Sequence, residues 1–177
     1  MTQTENVAVD ILLEPAASVS IYLQALLSAG RRYEVGVLQQ RHRRASEDAR
    51  SALEHAGVWS SATQVGALAP YRYDDQPAEI DVVEHGPGEA KREPGLHAHL
   101  VVRLLDGTHL DRPALERSLP FVRGRYERSL TDGLVSDLGL AVRELDGTLQ
   151  LAGIPDDPFA SFAPTACRVQ VGVRQVR

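Results

Sequence analysis

The sequence is poor in cysteine, in positive charge and in long apolar runs. Cys167 is its single cysteine, so no disulfide can form within the chain, which fits a reducing cytoplasm. Its longest apolar runs, such as residues 100–105, are too short and interrupted to cross a bilayer. The first ten residues lack a basic segment followed by an apolar one, so no secretory signal is expected. The sequence therefore predicts a cytoplasmic protein without a membrane span.

The charge balance is acidic, with 24 Asp and Glu against 19 Lys and Arg and a net charge of −5. This balance argues against non-specific binding of nucleic acid by the whole surface. Residues 31–50 are an exception, because this stretch contains six arginines and three acidic residues. Two interpretations remain open for this stretch: a solvated helix face, which is the commoner case, or a local DNA-binding patch that includes Arg41, Arg43 and Arg44.

The 177 residues are enough for one domain with a substantial core. Period-two and helical apolar patterns predict an α+β fold with a mostly antiparallel sheet flanked by helices. Strands are expected at 7–14, 58–73, 78–85 and 96–105, with a short return strand ending near 110 and a hairpin over 140–153. Helices are expected at 18–30, with Ser18 as N-cap, at 33–57, and from Asp111 to Gly139, where Pro120 should break or kink the run into a short helix and a long one.

Two histidines stand two residues apart in the apolar run "PGLHAHLVV", residues 94–102. Side chains two apart on a strand project from the same face, so His97 and His99 lie side by side while Ala98 and Leu100 face the opposite way. Such a pair can hold one divalent metal ion, but two imidazoles that only donate and accept hydrogen bonds are the alternative. His85 ends the preceding predicted strand, and a Gly- and Pro-rich loop allows that strand to run back beside the pair. The other histidines, His42, His55 and His109, are expected to be ordinary surface or core residues.

The order of these features resembles the relaxase domain of the TrwC-type (MobF) conjugative relaxases of the HUH endonuclease superfamily. In that family a strand with an aspartate leads into a "SAPKSVS" helix start, followed much later by an isolated histidine, a polar loop and a "PQLHTH" strand. Here the corresponding segments are "VDILLEPAASVS", His85 and "PGLHAHLVV", with "GRYERSL", "LGL" and "LAGIPDDPFASF" following as in the family. The resemblance spans residues 9–162 and implies a relaxase-like palm over residues 1–163, followed by a basic strand or tail over 164–177.

The resemblance implies roles for four residues. His85, His97 and His99 would bind a divalent cation (Mg, Mn or Zn) that polarises the scissile phosphate of single-stranded DNA, with a role in conjugation or plasmid mobilisation. Asp10 would orient one ligand histidine through its second ring nitrogen.

The expected tyrosine nucleophile is missing, since the family places it upstream of the aspartate and residues 1–9 contain none. The sequence therefore resembles an N-terminally truncated relaxase domain, to which a separate chain could supply the missing segment. Tyr126 is a weak alternative nucleophile, and core packing explains it better. Tyr71 and Tyr73 share one strand face and could stack on bases, although a plain sheet face explains them equally well.

Three functions remain open at this point. The chain could be a relaxase-like protein that binds metal and DNA, with doubtful nicking activity. It could be a non-catalytic DNA- or protein-binding module of a mobile element. It could also be an unrelated metalloenzyme that acts on a small molecule.

Overall fold

A computed structural model of the chain describes residues 7–61, 78–85, 95–104, 108–145, 148–154 and 174–175. Within these ranges the elements are β1 (Val7–Leu13), α1 (Ala17–Ser28), α2 (Arg32–His55), β2 (Trp59–Ser61), β3 (Ala78–His85), β4 (His97–Leu104), β5 (Thr108–Leu110), α3 (Arg112–Leu138), β6 (Val142–Leu145), β7 (Thr148–Leu151) and β8 (Arg174–Gln175). Every strand pair among them is antiparallel, so the α+β class is confirmed. None of the helices in these ranges is long and apolar enough to cross a membrane.

The central sheet has the strand order β3-β4-β1-β8. One of its faces is apolar and buried, because alternate residues such as Ile11, Leu13, Ala98 and Leu100 pack into the core beneath the helices. The predicted alternation of the histidine strand is confirmed, since the residues between these core positions lie on the opposite face. The candidate site belongs to that second face.

Two long helices, α2 and α3, cover the apolar face of the sheet and pack against each other. The core-facing side of α3 is apolar, and Val122, Tyr126, Leu130 and Leu134 on it are all buried. Polar contacts join the helices at their margins, where Ser129 donates to Asp48 at 2.5 Å. Asp111 is the N-cap of α3, as expected, and accepts a hydrogen bond from the Ala114 N–H at 2.9 Å.

The predicted break at Pro120 is wrong, because α3 runs without interruption from Arg112 to Leu138. A proline inside a helix removes one backbone hydrogen bond and costs about 3 kcal/mol. Pro120 is exposed, so water can reach the carbonyl that loses its partner. Leu115 and Val122, on either side of it, are both buried, so packing in the core stabilises the helix before and after the proline.

Ser18 is not the N-cap of α1, which begins at Ala17 with Ala16 as its N-cap. The buried Ser18 hydroxyl instead accepts a hydrogen bond from the Leu151 N–H at 3.0 Å. This contact ties the start of α1 to the β6–β7 hairpin. A buried backbone donor without a partner is costly, so the hydroxyl satisfies a need that arises only in the folded chain.

The short return strand β5 pairs with β2, whereas the sequence suggested a hairpin with β4. The hairpin of β6 and β7 is confirmed, with Leu145 opposite Thr148. β8 lies beside β1 at the edge of the sheet, and the rest of the predicted C-terminal strand or tail over 164–177 lies outside the described residues. Most of the predicted strand 58–73, together with Tyr71 and Tyr73, lies outside the described residues.

Two helical glycines are expected to respond to alanine in opposite ways. A Cβ at Gly36 has open space around it, so Gly36→Ala should stabilise the fold by about 0.5–1 kcal/mol through helix propensity. A Cβ at Gly133 would lie 2.5 Å from Arg41 Cδ, so Gly133→Ala must displace the arginine that pairs with Asp137. Urea denaturation of both variants tests this, and equal stabilisation by the two substitutions would contradict it.

Candidate metal centre

Three histidine rings meet at one end of the exposed sheet face. His85 ends β3 and stands directly opposite His97 at the start of β4, while His99 lies two residues further along β4. One ring nitrogen from each residue lies within 4.8 Å of the others. The rings of His85 and His97 stack with centroids 4.9 Å apart, and His99 stands edge-on at 5.4 Å from both. The antiparallel register therefore brings His85 to the pair, as the sequence predicted.

Two of the rings are held by a hydrogen bond to Nδ1. His99 Nδ1 donates to Asp10 Oδ1 at 2.8 Å, and His97 Nδ1 donates to the Gly95 carbonyl at 3.2 Å. We assign the protons to Nδ1 because both partners are acceptors. With the protons on Nδ1, the Nε2 atom of each ring carries the lone pair that can bind a metal ion.

The donor set suits a divalent transition metal. Three neutral imidazoles are a usual set for Zn²⁺ and related ions, and they leave coordination positions open for water or a substrate oxygen. Two nitrogens that both bind zinc can be at most ~4.2 Å apart, since each Zn–N bond is ~2.0–2.1 Å. The ring nitrogens lie within 4.8 Å of one another, so they must come closer by at most ~0.6 Å before all three can bind one ion. His97 is only 2% exposed and so is fixed by packing, whereas His85 and His99 are partly open to solvent.

Solved structures of one protein share this architecture. A metal-bound structure of the conjugative relaxase TrwC in complex with oriT DNA superposes with a TM-score of 0.57, at 22% identity over 85% of this chain. The chain has the fold of a TrwC-type relaxase. A copper-bound TrwC complex with oriT DNA gives a TM-score of 0.53 at 21% identity, and a complex with mutant oriT DNA gives 0.56 at 21% identity. These matches cover 82% and 88% of this chain, and the resemblance seen in the sequence is confirmed at the level of the fold.

The chain spans about half of the length of these relaxases, with 50%, 48% and 55% of each TrwC chain covered. No protein-family model matches the sequence, and no curated protein matches it either.

The three arginines proposed for a DNA patch have different surroundings in the relaxase fold. Arg41 donates to Asp137 on α3 at 2.5 Å, and Arg43 donates to Glu84 at the end of β3 at 2.8 Å. Of these three arginines, Arg44 alone has no ion pair with another described residue, and its side chain is exposed. Two of the three charges are thus partly balanced by carboxylates, which favours the interpretation of a solvated helix face with pairing to its neighbours.

Sequence reasoning missed the pair between Arg43 and Glu84, which connects α2 to the strand end that carries His85. Glu84 precedes His85 directly, so the two side chains point to opposite faces of β3. A glutamate on the helix-facing side of a strand is a signal that it has a cationic partner, although the sequence does not say which one.

Tyr126 is fully buried in α3 and belongs to the core on the helix side of the sheet. Its ring meets His42 of α2 edge-on, with centroids 5.8 Å apart. The structure therefore favours core packing for Tyr126 over a role as nucleophile, because a reacting phosphate cannot reach a side chain that is 0% exposed.

Replacement of Asp10 is expected to weaken metal binding without unfolding the protein. Asp10→Ala removes the acceptor that fixes the ring of His99 and its tautomer, and such losses typically reduce metal affinity by about 10- to 100-fold. The affinity is measured by competition with a chromophoric chelator. Asp81→Asn is the matched control, since Asp81 lies on the same sheet face but pairs with Arg103. Equal effects of the two substitutions would show that Asp10 acts only through its charge.

His42 is expected to make the fold sensitive to acid. Burial lowers the pKa of His42 from its usual value of 6.5 to about 4, with a smaller contribution from the charge of His97. Between pH 6.5 and 4 the unfolded chain binds a proton that the folded chain excludes. The free energy of unfolding therefore decreases by about 3 kcal/mol as the pH is lowered from 6.5 to 4, and this group has no effect on it above pH 6.5. In urea titrations with a chelator present, His42→Leu should lose that much less stability over this interval. An unchanged pH dependence in the variant would contradict the prediction.

Proposed function

We propose that the chain binds a divalent metal ion through His85, His97 and His99 and that this site binds a phosphate of single-stranded DNA. The observation that carries the proposal is the cluster of three ring nitrogens within 4.8 Å at the end of the sheet of a relaxase fold. A metal-binding site alone would fit many functions. The fold narrows them, since TrwC is a conjugative relaxase whose structures are metal-bound and complexed with oriT DNA.

The proposed residues have distinct roles. The bound ion, Mg²⁺, Mn²⁺ or Zn²⁺, supplies positive charge and Lewis acidity to a phosphate oxygen. The three histidines hold the ion, and the buried His97 gives the site a fixed point. Asp10 keeps the proton of His99 on Nδ1, so that the other nitrogen stays available. The open positions on the solvent side are where the DNA phosphate binds.

Binding of DNA is the core of the proposal, and strand transfer is not assigned to Tyr126, because that ring is buried. A covalent step at this site requires a tyrosine that reaches the phosphate, and we propose that a separate polypeptide supplies it. The biological setting in keeping with this chemistry is the cytoplasmic processing of plasmid or mobile-element DNA. The second candidate is a non-catalytic DNA- or protein-binding module, which the full burial of the Tyr126 ring favours.

The two candidates are separated by the response of DNA binding to metal. Fluorescence anisotropy with a labelled single-stranded oligonucleotide is measured at low salt, with Mn²⁺ or with a chelator, on the parent, His97→Ala and His55→Ala. His55 is the control, since it is exposed on α2 and lies outside the triad. Binding that requires metal and is lost only in His97→Ala supports the proposal. Binding that depends neither on metal nor on His97 favours the non-catalytic module. If the protein does not bind the oligonucleotide even at low salt, DNA is excluded as the ligand.

A further inference from the structure

The sheet face that carries the triad changes character from one end to the other. Residues that stand opposite one another on neighbouring strands form rows across this face, and the first row pairs His85 with His97. In the second row, Val83 and Leu12 lie on either side of His99. In the third row, Asp81 and Asp10 lie on either side of Val101. Side chains in one row of an antiparallel sheet have Cβ atoms about 4.5–5.5 Å apart. Apolar groups are thus in direct contact range of the imidazoles.

Val83 is unusual because its side chain is open to solvent. Its exposed fraction is 41%, and the other large exposed apolar side chains among the described residues lie on helices: Leu27, Tyr33, Phe121 and Val135. Val101 lies diagonally beside Val83, Leu12 lies on the other side of His99, and both are partly buried. Together, Val83, Val101 and Leu12 form a small apolar surface directly next to His99, which we call the valine shelf.

From the row of Val101 onwards the face becomes acidic. Asp81 is exposed and paired with Arg103, and Glu79 stands exposed in the next row opposite the same arginine. Asp10 lies at the same level on β1 and holds His99. A phosphate is repelled from this end of the face, since one arginine stands among three carboxylates. The charge pattern therefore allows an anion only at the histidine end.

We propose that the valine shelf is a subsite for the nucleoside that adjoins the phosphate held at the triad. This inference rests on the proposed function and adds the direction in which the DNA strand leads away from the metal ion. One phosphate lies at the histidines, the attached nucleoside lies on Val83, and the next phosphate turns away from Asp81 and Glu79 into solvent. Removal of an exposed valine from water by an apolar sugar edge or base face is the favourable contribution.

The test compares Val83→Thr with Val135→Thr. Both residues are exposed valines, at 41% and 46%, but Val135 lies on α3, away from the sheet. Threonine keeps the shape and the strand preference of valine and replaces one methyl group by a hydroxyl. With Mn²⁺ present, Val83→Thr is expected to bind a short single-stranded oligonucleotide about fivefold more weakly than the parent, and Val135→Thr is expected to bind as the parent does.

Two further measurements distinguish the possible outcomes. An abasic oligonucleotide distinguishes the source of the contact: the penalty of Val83→Thr disappears if the base lies on the shelf and persists if the sugar does. Metal affinity, measured without DNA, must be the same in Val83→Thr and in the parent. Equal DNA binding by parent and Val83→Thr overturns the subsite alone. Failure of the metal-loaded parent to bind any oligonucleotide overturns the proposed function, and the subsite with it.

Discussion

His97→Ala is expected to weaken the binding of Zn²⁺ by about 100-fold or more, which exceeds the usual effect of losing an outer contact to a ligand. Each of the three rings contacts the other two, and His97 stacks on His85 and meets His99 edge-on. It is also the most buried of the three, so its replacement leaves a gap that water fills poorly. Isothermal titration of the chelator-treated protein measures the affinity.

The control for this experiment is His55→Ala, which removes an exposed imidazole from α2 and should leave the affinity unchanged. His99→Ala provides a second loss of a ligand at a partly exposed position, so that a folding defect of His97→Ala does not decide the matter. Circular dichroism and thermal unfolding of the metal-free variants show whether the fold is retained. Parent-like affinity in both folded triad variants would contradict the assignment of the ligands.

Tyr126→Ala is expected to lower the free energy of unfolding by about 3–5 kcal/mol, the range for loss of a large aromatic ring from a core. The ring is 0% exposed and packs between α2 and α3, where it meets His42. Tyr33→Ala is the matched control, because Tyr33 is also on a helix but is 78% exposed. Its replacement should change stability by less than about 0.5 kcal/mol. Urea denaturation of both variants gives the comparison.

Tyr126→Phe tests the same side chain in its other suggested role. It keeps the ring in the core and removes only the hydroxyl. If Tyr126 is a packing residue, any metal-dependent effect of the protein on DNA persists in this variant. A small stability loss in Tyr126→Ala, or loss of DNA nicking in Tyr126→Phe, would restore the nucleophile hypothesis.

The histidine site could largely be predicted from the sequence because it depends on local patterns. The period of two in "LHAHLVV" puts His97 and His99 on one face, and the short link to the previous strand brings His85 opposite His97. Asp10 is different, since it meets His99 across 89 residues of sequence. Only the resemblance to relaxases pointed to that contact, as no local pattern contains the pairing of β1 with β4.

What could not be predicted depends on interactions that are distant in sequence. The ion pairs of Arg41 and Arg43 are of this kind, because their partners Asp137 and Glu84 lie 96 and 41 residues away. Pro120 has a strong local preference to end a helix, and burial of residues on both sides of it outweighs that preference. The predicted pairing of β5 with β4 was wrong because its actual partner, β2, lies far upstream in the sequence.

The most direct test of the account is the X-ray absorption spectrum of the protein loaded with one equivalent of Zn²⁺. The account predicts a first shell with three imidazole nitrogens at about 2.0–2.1 Å, completed by oxygen from solvent. In the His99→Ala variant the imidazole scattering should fall to two rings or the ion should be lost. A shell made only of oxygen atoms, or one unchanged by loss of His99, would contradict the claim that the three histidines form a metal centre.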